Sequence, residues 1–113
     1  MTIKQSSSHL DGVFHALSDP TRRAILSRLA RGEASVAELS APFDLSQPTI
    51  SKHLKVLEQA GLIEGGREAQ RRPRRLAPNA MKDAHSFIEP FRKQWERRFA
   101  NLDAHLARMK KDT

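Results

Sequence analysis

Between Asp19 and Gly61 the chain is cut into three helices by its own start and stop residues, and this punctuation restricts the fold more than any other feature. Asp19 can cap a helix whose first position is Pro20, where a missing N–H costs nothing. Ala24, Ile25, Leu26 and Leu29 supply the buried side of that helix, and Gly32 stops it. Ser35 and Glu38 make the S-x-x-E pattern of a capping box, opening a short helix through Val36 and Leu39 that Pro42 ends. After the turn "FDLS", Ser46 caps a third helix in which Ile50, Leu54, Leu57 and Ala60 form one apolar stripe. Gly61 stands where a left-handed terminator belongs. Two helices joined by a brief turn, the second exposing its N-terminal end, is the helix-turn-helix arrangement.

The flanks complete the fold class. Leu10, Val13, Phe14 and Leu17 recur at helical spacing ahead of "SDP", with residues 1–8 expected as a flexible tail. Downstream, "LIEGGREAQRRPRRLAP" reads as two short strands, Leu62–Arg67 and Arg71–Ala77, around "EAQ". Gly65, Gly66 and Pro73 weaken both, and Pro73 fits only an edge position. From Asn79 to about Lys110 the helical period returns, with Phe87, Phe91, Trp95, Phe99, Leu102 and Leu106 on one stripe. At ~1.5 Å per residue this helix spans about 45 Å, more than a domain of this size can cover, so the stripe needs a partner outside the monomer's core. The expectation is a mainly α protein with a small β-hairpin. One domain covers 9–110, with the Ser46 helix at about 46–60, the hairpin at about 62–77 and the C-terminal helix at about 79–110.

A chain of 113 residues has room for a modest core, but not for a buried catalytic cleft with its own substrate domain. The absence of cysteine excludes disulfides, thiolate metal sites and cysteine nucleophiles. No Ser/His/Asp order, cleft carboxylate pair or phosphate-cradling glycine loop is present, so no enzyme and no cofactor are expected. "MTIKQSSSHL" lacks the apolar core of a signal peptide, and no apolar run approaches the ~18 residues of a membrane span. A soluble, cytoplasmic protein with no membrane partner is expected.

Charge is unevenly placed. Residues 1–45 balance five basic side chains against five acidic, whereas 46–77 hold seven against three and 78–113 eight against five. Positive charge therefore begins at the Ser46 helix, which points to a polyanion such as double-stranded DNA. On that helix Gln47, Ser51 and Lys55 lie at i, i+4 and i+8, with Pro48 and Lys52 beside them, away from the apolar stripe. Gln can bond an adenine edge, Ser can donate or accept, and Thr49 or Pro48 can touch a thymine methyl. Lys52 and Lys55 suit phosphate or guanine, and His53 follows as a flanking residue open to a phosphate or to a packing role. No acid occurs from Leu45 until Glu58, and the helix dipole adds a fixed positive end at Ser46. An ordinary capped helix whose polar face meets water is the alternative. The basic hairpin that follows, with Arg67, Arg71, Arg72, Arg74 and Arg75, favours DNA. Strand alternation puts Arg72 and Arg74 on one face of it and Arg75 on the other.

"ALSDPTRRAILSRLARGEASVAELS" followed by "LSQPTISKHLKVLEQAGLI" resembles the ArsR/SmtB family of bacterial winged-helix repressors, and the resemblance runs over roughly residues 10–106. It implies a homodimer on an inverted-repeat operator, with Gln47, Pro48, Ser51 and Lys52 reading bases and the hairpin as the wing. It also implies a dimer interface built from the C-terminal helix and the first helix, hence Leu10 and Phe14 with the aromatic stripe. Many relatives sense metals, and here the sequence departs: "SVAELSA" has no cysteine pair. Asp83 and His85 have the D-x-H look of a second site class, but their counterparts would fall near Glu96 and Phe99, and Phe99 cannot ligate. No metal is expected. Trp95 and the phenylalanines leave room for a small-molecule effector between subunits. The rival functions are a sequence-indifferent architectural DNA binder and a dimeric interaction module that holds a protein instead. An RNA binder lacks the exposed aromatic platform it would need.

Overall fold

The computed structural model describes residues 2–65 and 73–111, with side chains from position 9 onward. The chain forms two compact units, Met1–Lys82 and Asp83–Thr113. The first holds α1 (Thr2–Leu17), α2 (Pro20–Leu29), α3 (Val36–Ser40), α4 (Gln47–Gln59), β1 (Ile63–Glu64) and β2 (Arg75–Leu76). The second is the greater part of α5 (Lys82–Lys111). Among the described residues no helix is long and apolar enough to cross a membrane.

Each start signal is realised in geometry. Asp19 Oδ2 accepts the Arg22 amide at 3.0 Å with Pro20 in the first turn of α2. That bond, more than any charge, holds the Asp19 carboxyl below the ordinary aspartate range. Ser35 Oγ accepts the Glu38 amide at 3.0 Å while Glu38 Oε1 accepts the Ser35 amide at 3.5 Å, which closes the capping box. Ser46 Oγ accepts the Thr49 amide at 3.3 Å. At the other end of α4, Gly61 takes φ +75, its amide reaching the Glu58 carbonyl at 3.0 Å and the Leu62 amide reaching that of Leu57 at 3.0 Å. This is the paired bond pattern that ends a helix on a left-handed glycine.

Helix α4 is the hub of the first unit and packs on α1, α2, α3 and β1. Its stripe Ile50, Leu54, Leu57 and Ala60 is buried, together with Val13 and Ala16 of α1, Ile25, Leu26 and Leu29 of α2, Leu39 of α3, and Leu62 and Ile63. Each fully buried leucine or isoleucine contributes roughly 1.5–3 kcal/mol of transfer free energy, so this cluster fixes the orientation of α4.

Two boundaries differ from the sequence reading. Helix α1 begins at Thr2, so residues 2–8 are helical where a flexible tail is expected. Once the second half of a helix is anchored, each further residue adds one hydrogen bond without a new nucleation cost, and serine opposes this only weakly. Among the described residues antiparallel pairing in the hairpin covers Ile63↔Leu76 and Glu64↔Arg75, so Leu62 and Ala77, expected as strand ends, fall outside it. On its other side Arg74 bridges Ala34, with N–O distances of 3.0 and 2.7 Å, a partner forty residues away that no local pattern announces. Arg67, Arg71 and Arg72 lie outside the described residues.

Candidate DNA interface

The burial of one side of α4 decides what its other side presents. With Ile50, Leu54 and Leu57 turned inward, Gln47, Pro48, Ser51, Lys52 and Lys55 are all exposed. From Gln47 to Lys55 the rise is ~12 Å, comparable with the width of the DNA major groove. The only acid in the sequence of α4, Glu58, stands in its last turn, where Arg74 Nε is 2.8 Å from Glu58 Oε1. The exposed row of the helix itself therefore carries lysines and no carboxylate, with the positive end of the dipole at Ser46. Gln47, Pro48 and Ser51 also form one wall of an open groove of about 790 Å³, completed by Ser35, Val36 and Ala37 at the start of α3 and by Arg74.

Four residues expected at DNA, Ser46, Thr49, His53 and Arg74, make contacts within the protein, and for Ser46 this is the capping role also read from the sequence. Ser46 and Thr49 turn toward each other, Oγ to Oγ1 at 2.9 Å, so both hydroxyls serve the helix cap. His53 is not on the exposed face. Its side chain is 19% exposed and faces α2, Nδ1 lying 3.3 Å from Arg22 Nη1 and 3.9 Å from Asp19 Oδ2. The reason is angular: His53 follows the inward Ile50 by three positions and precedes the inward Leu54 and Leu57, so it shares their flank. Arg74, expected at DNA with the other hairpin arginines, is bound to Glu58, with its side chain 11% exposed. Arg75 remains at the surface, 66% exposed, paired with Glu64 at 3.0 Å.

Arg22 was missed altogether. It is buried, donating Nε to the Ala16 carbonyl at 2.8 Å and Nη2 to the His15 carbonyl at 3.0 Å while Nη1 meets His53. One guanidinium thus closes the C-terminal end of α1, where a cation is also favoured by the helix dipole, and touches α4. A signal existed: Arg22 precedes Ile25, Leu26 and Leu29 by three, four and seven positions, which puts a cation on an apolar stripe.

The second unit presents the aromatic stripe to solvent. Phe87, Phe91, Trp95, Phe99, Leu102 and Leu106 are exposed, from 46% at Leu106 to 63% at Phe99, and Ile88 and Met109 extend the row. Phe87 and Phe91 pack with their rings tilted at 46° and centroids 5.5 Å apart. Beside the row, Arg92 is gripped by Glu89 and Glu96 at 2.6 Å each, which holds the Glu89 carboxyl below its ordinary range and raises the Arg92 guanidinium above its own. Pro90 sits inside α5 and cannot donate to the Ser86 carbonyl, so the run survives on the bonds either side. Leu10 and Phe14 of α1, also expected at a subunit contact, are half-buried in the first unit. Among the described residues, no three His, Asp or Glu side chains come together as a metal cluster would require.

Comparison with known proteins fits this arrangement. A helix-turn-helix domain family matches residues 17–65. The transcriptional repressor SdpR of Bacillus subtilis is 43% identical over 61 residues, 54% of this chain and 68% of the relative. The crystal structure of an ArsR family transcriptional regulator superposes with a TM-score of 0.71 at 37% identity, over 80% of this chain and 93% of that one. A solution structure from Mycobacterium bovis, described as a homodimeric winged helix-turn-helix DNA-binding domain, matches with a TM-score of 0.60 at 26% identity, over 77% of this chain and 81% of that one. The chain is a winged helix-turn-helix protein of the ArsR family of transcriptional regulators.

Proposed function

We propose that the chain is a repressor that binds an inverted-repeat operator as a homodimer, reading bases with Gln47, Pro48, Ser51 and Lys52 and gripping phosphate with Lys55. The observation that carries the reading is the two-sided character of α4: a buried apolar stripe on one side, and on the other an exposed row with lysines and no free carboxylate. Pairing through the apolar row of α5 supports the dimer, because a monomer would leave eight large apolar side chains in water. The homodimer described for the M. bovis relative supports it further. Two copies related by a twofold axis would offer two α4 helices to successive major grooves, about 34 Å apart on one face of the duplex. The arginines at Arg67, Arg71 and Arg72 add sequence-independent attraction from the hairpin.

Selection of bound fragments from sheared host DNA, followed by salt titration on the tightest, tests the proposal. An inverted repeat bound far above random duplex is the expected result. Equal affinity for all duplexes would instead make the protein architectural, and no salt-dependent affinity would turn the search to a protein partner.

A further inference from the structure

The groove beside Gln47 and Ser51 is lined in part by Arg74, whose ion pair with Glu58 base reading does not itself require. Arg74 leaves the edge of the hairpin with its backbone fixed to Ala34, and its side chain runs back across Gly65. A Cβ at position 65 would stand 2.1 Å from Arg74 Cδ and 2.8 Å from Nε, so any other residue there must push the end of the Arg74 side chain off its present course to Glu58. The side chain ends with Nε 2.8 Å from Glu58 Oε1, in the last turn of α4. One residue is thus tied to the segment entering α3 through its backbone and to α4 through its guanidinium.

A phosphate contact would call for the opposite features: an exposed, long-reaching cation with no carboxylate at its tip. The Arg74 side chain is 11% exposed, its charge is met by Glu58, and its Cδ and Nε lie over Gly65. We propose that Arg74 is a positioning residue. The Gly65–Arg74–Glu58 latch joins the hairpin to α4 as one rigid body and so sets the angle at which the hairpin and the Gln47–Ser51 row meet the duplex together. The inference rests on the DNA-reading function proposed above.

The test compares the full-length wild type with Glu58→Gln, Arg74→Glu and the exchanged pair Glu58→Arg/Arg74→Glu, on the tightest selected duplex and on a random one between 50 and 200 mM salt. Glu58→Gln removes an acid from a DNA-facing helix, so electrostatics alone would tighten binding. The latch instead predicts a loss of about three- to tenfold on the selected duplex with the salt slope unchanged. Arg74→Glu should lose more, and the exchanged pair should recover most of that loss. Unchanged or tighter binding by Glu58→Gln, with no recovery in the exchanged pair, would overturn the proposal and make Arg74 a direct contact. Should the exchanged pair fail to fold by circular dichroism, Gly65→Ala with Glu58→Gln decides, since both leave the arginine in place and both should lose operator preference. If wild type binds no duplex, the functional reading fails, and hydrogen exchange then reads the latch by itself. Glu58→Gln should speed exchange of the Arg74 and Ala34 amides about three- to tenfold, and an unchanged rate would refute it.

Discussion

Replacing Arg22 with methionine keeps most of the aliphatic stem of the side chain and deletes its guanidinium. The Ala16 carbonyl then loses its buried guanidinium donor, the His15 carbonyl loses one donor but keeps the Ser18 amide and hydroxyl, and His53 loses its neighbour. A hydrogen bond to a charged group contributes about 1.5–3 kcal/mol, and the Ala16 bond should cost the full amount because water cannot replace the donor there. The His15 carbonyl keeps both Ser18 donors, so loss of the guanidinium there adds only about 0.5–1 kcal/mol. The expected loss is about 2–4 kcal/mol, read as a lower urea midpoint at unchanged slope, with wild type and variant at the same protein concentration. Arg22→Lys, which can reach one carbonyl but not both, should fall near half of that loss. A change below about 0.5 kcal/mol for Arg22→Met would mean that the network adds nothing to stability, and the placement of Arg22 as a strut between α1 and α4 would be wrong.

Gln47→Ala should lose about 1–3 kcal/mol of discrimination at one base-pair position and leave random-duplex affinity unchanged, as a binding series over point-substituted operators would show. Lys55→Ala should weaken every duplex alike and reduce the slope of log K against log salt by about 0.9, measured by fluorescence anisotropy. Phe99→Asp, at the most exposed ring of the α5 row, should leave the protein monomeric in sedimentation while circular dichroism of the first unit stays normal; Trp95 emission should shift to the red as the row is uncovered. Asp19→Ala should cost about 1 kcal/mol at pH 7, the ordinary value of a helix cap. Because the folded Asp19 carboxyl titrates below its unfolded counterpart, its contribution is complete above the ordinary aspartate range and disappears as pH falls through the depressed value. Wild type and Asp19→Ala should therefore converge in acid and separate toward neutral pH, and parallel stability curves would contradict the assignment.

Elements set by local chemistry were readable in advance. Asp19 with Pro20, the Ser35/Glu38 box, Ser46 and Gly61 each act within one helical turn, and each appears in the structure in the role its residue type implies. The exposed row Gln47, Pro48, Ser51, Lys52 and Lys55 was equally legible, because helix periodicity alone separates it from Ile50 and Leu54. What escaped depends on partners far along the chain. Arg74 meets Glu58 sixteen residues away and Ala34 forty away, and His53 meets Arg22 across thirty-one. In each case a cationic or polar side chain in a basic protein was assigned to the anionic ligand, when an internal acceptor lay within reach. Net charge locates a polyanion surface, but it cannot say which of its members are already engaged.

Gly65 has a consequence for how this hairpin can vary in descent. A methyl group there meets Cδ, Nε and Cζ of Arg74, so a lineage that acquires one moves the end of that side chain off its present course. Doing so weakens the pair with Glu58, the one acid of α4. Positions 58, 65 and 74 should accordingly be inherited as one unit among close relatives, with intermediate combinations rare. A library randomised at all three should return the same triad, or a wholly different one, but few mixtures of the two.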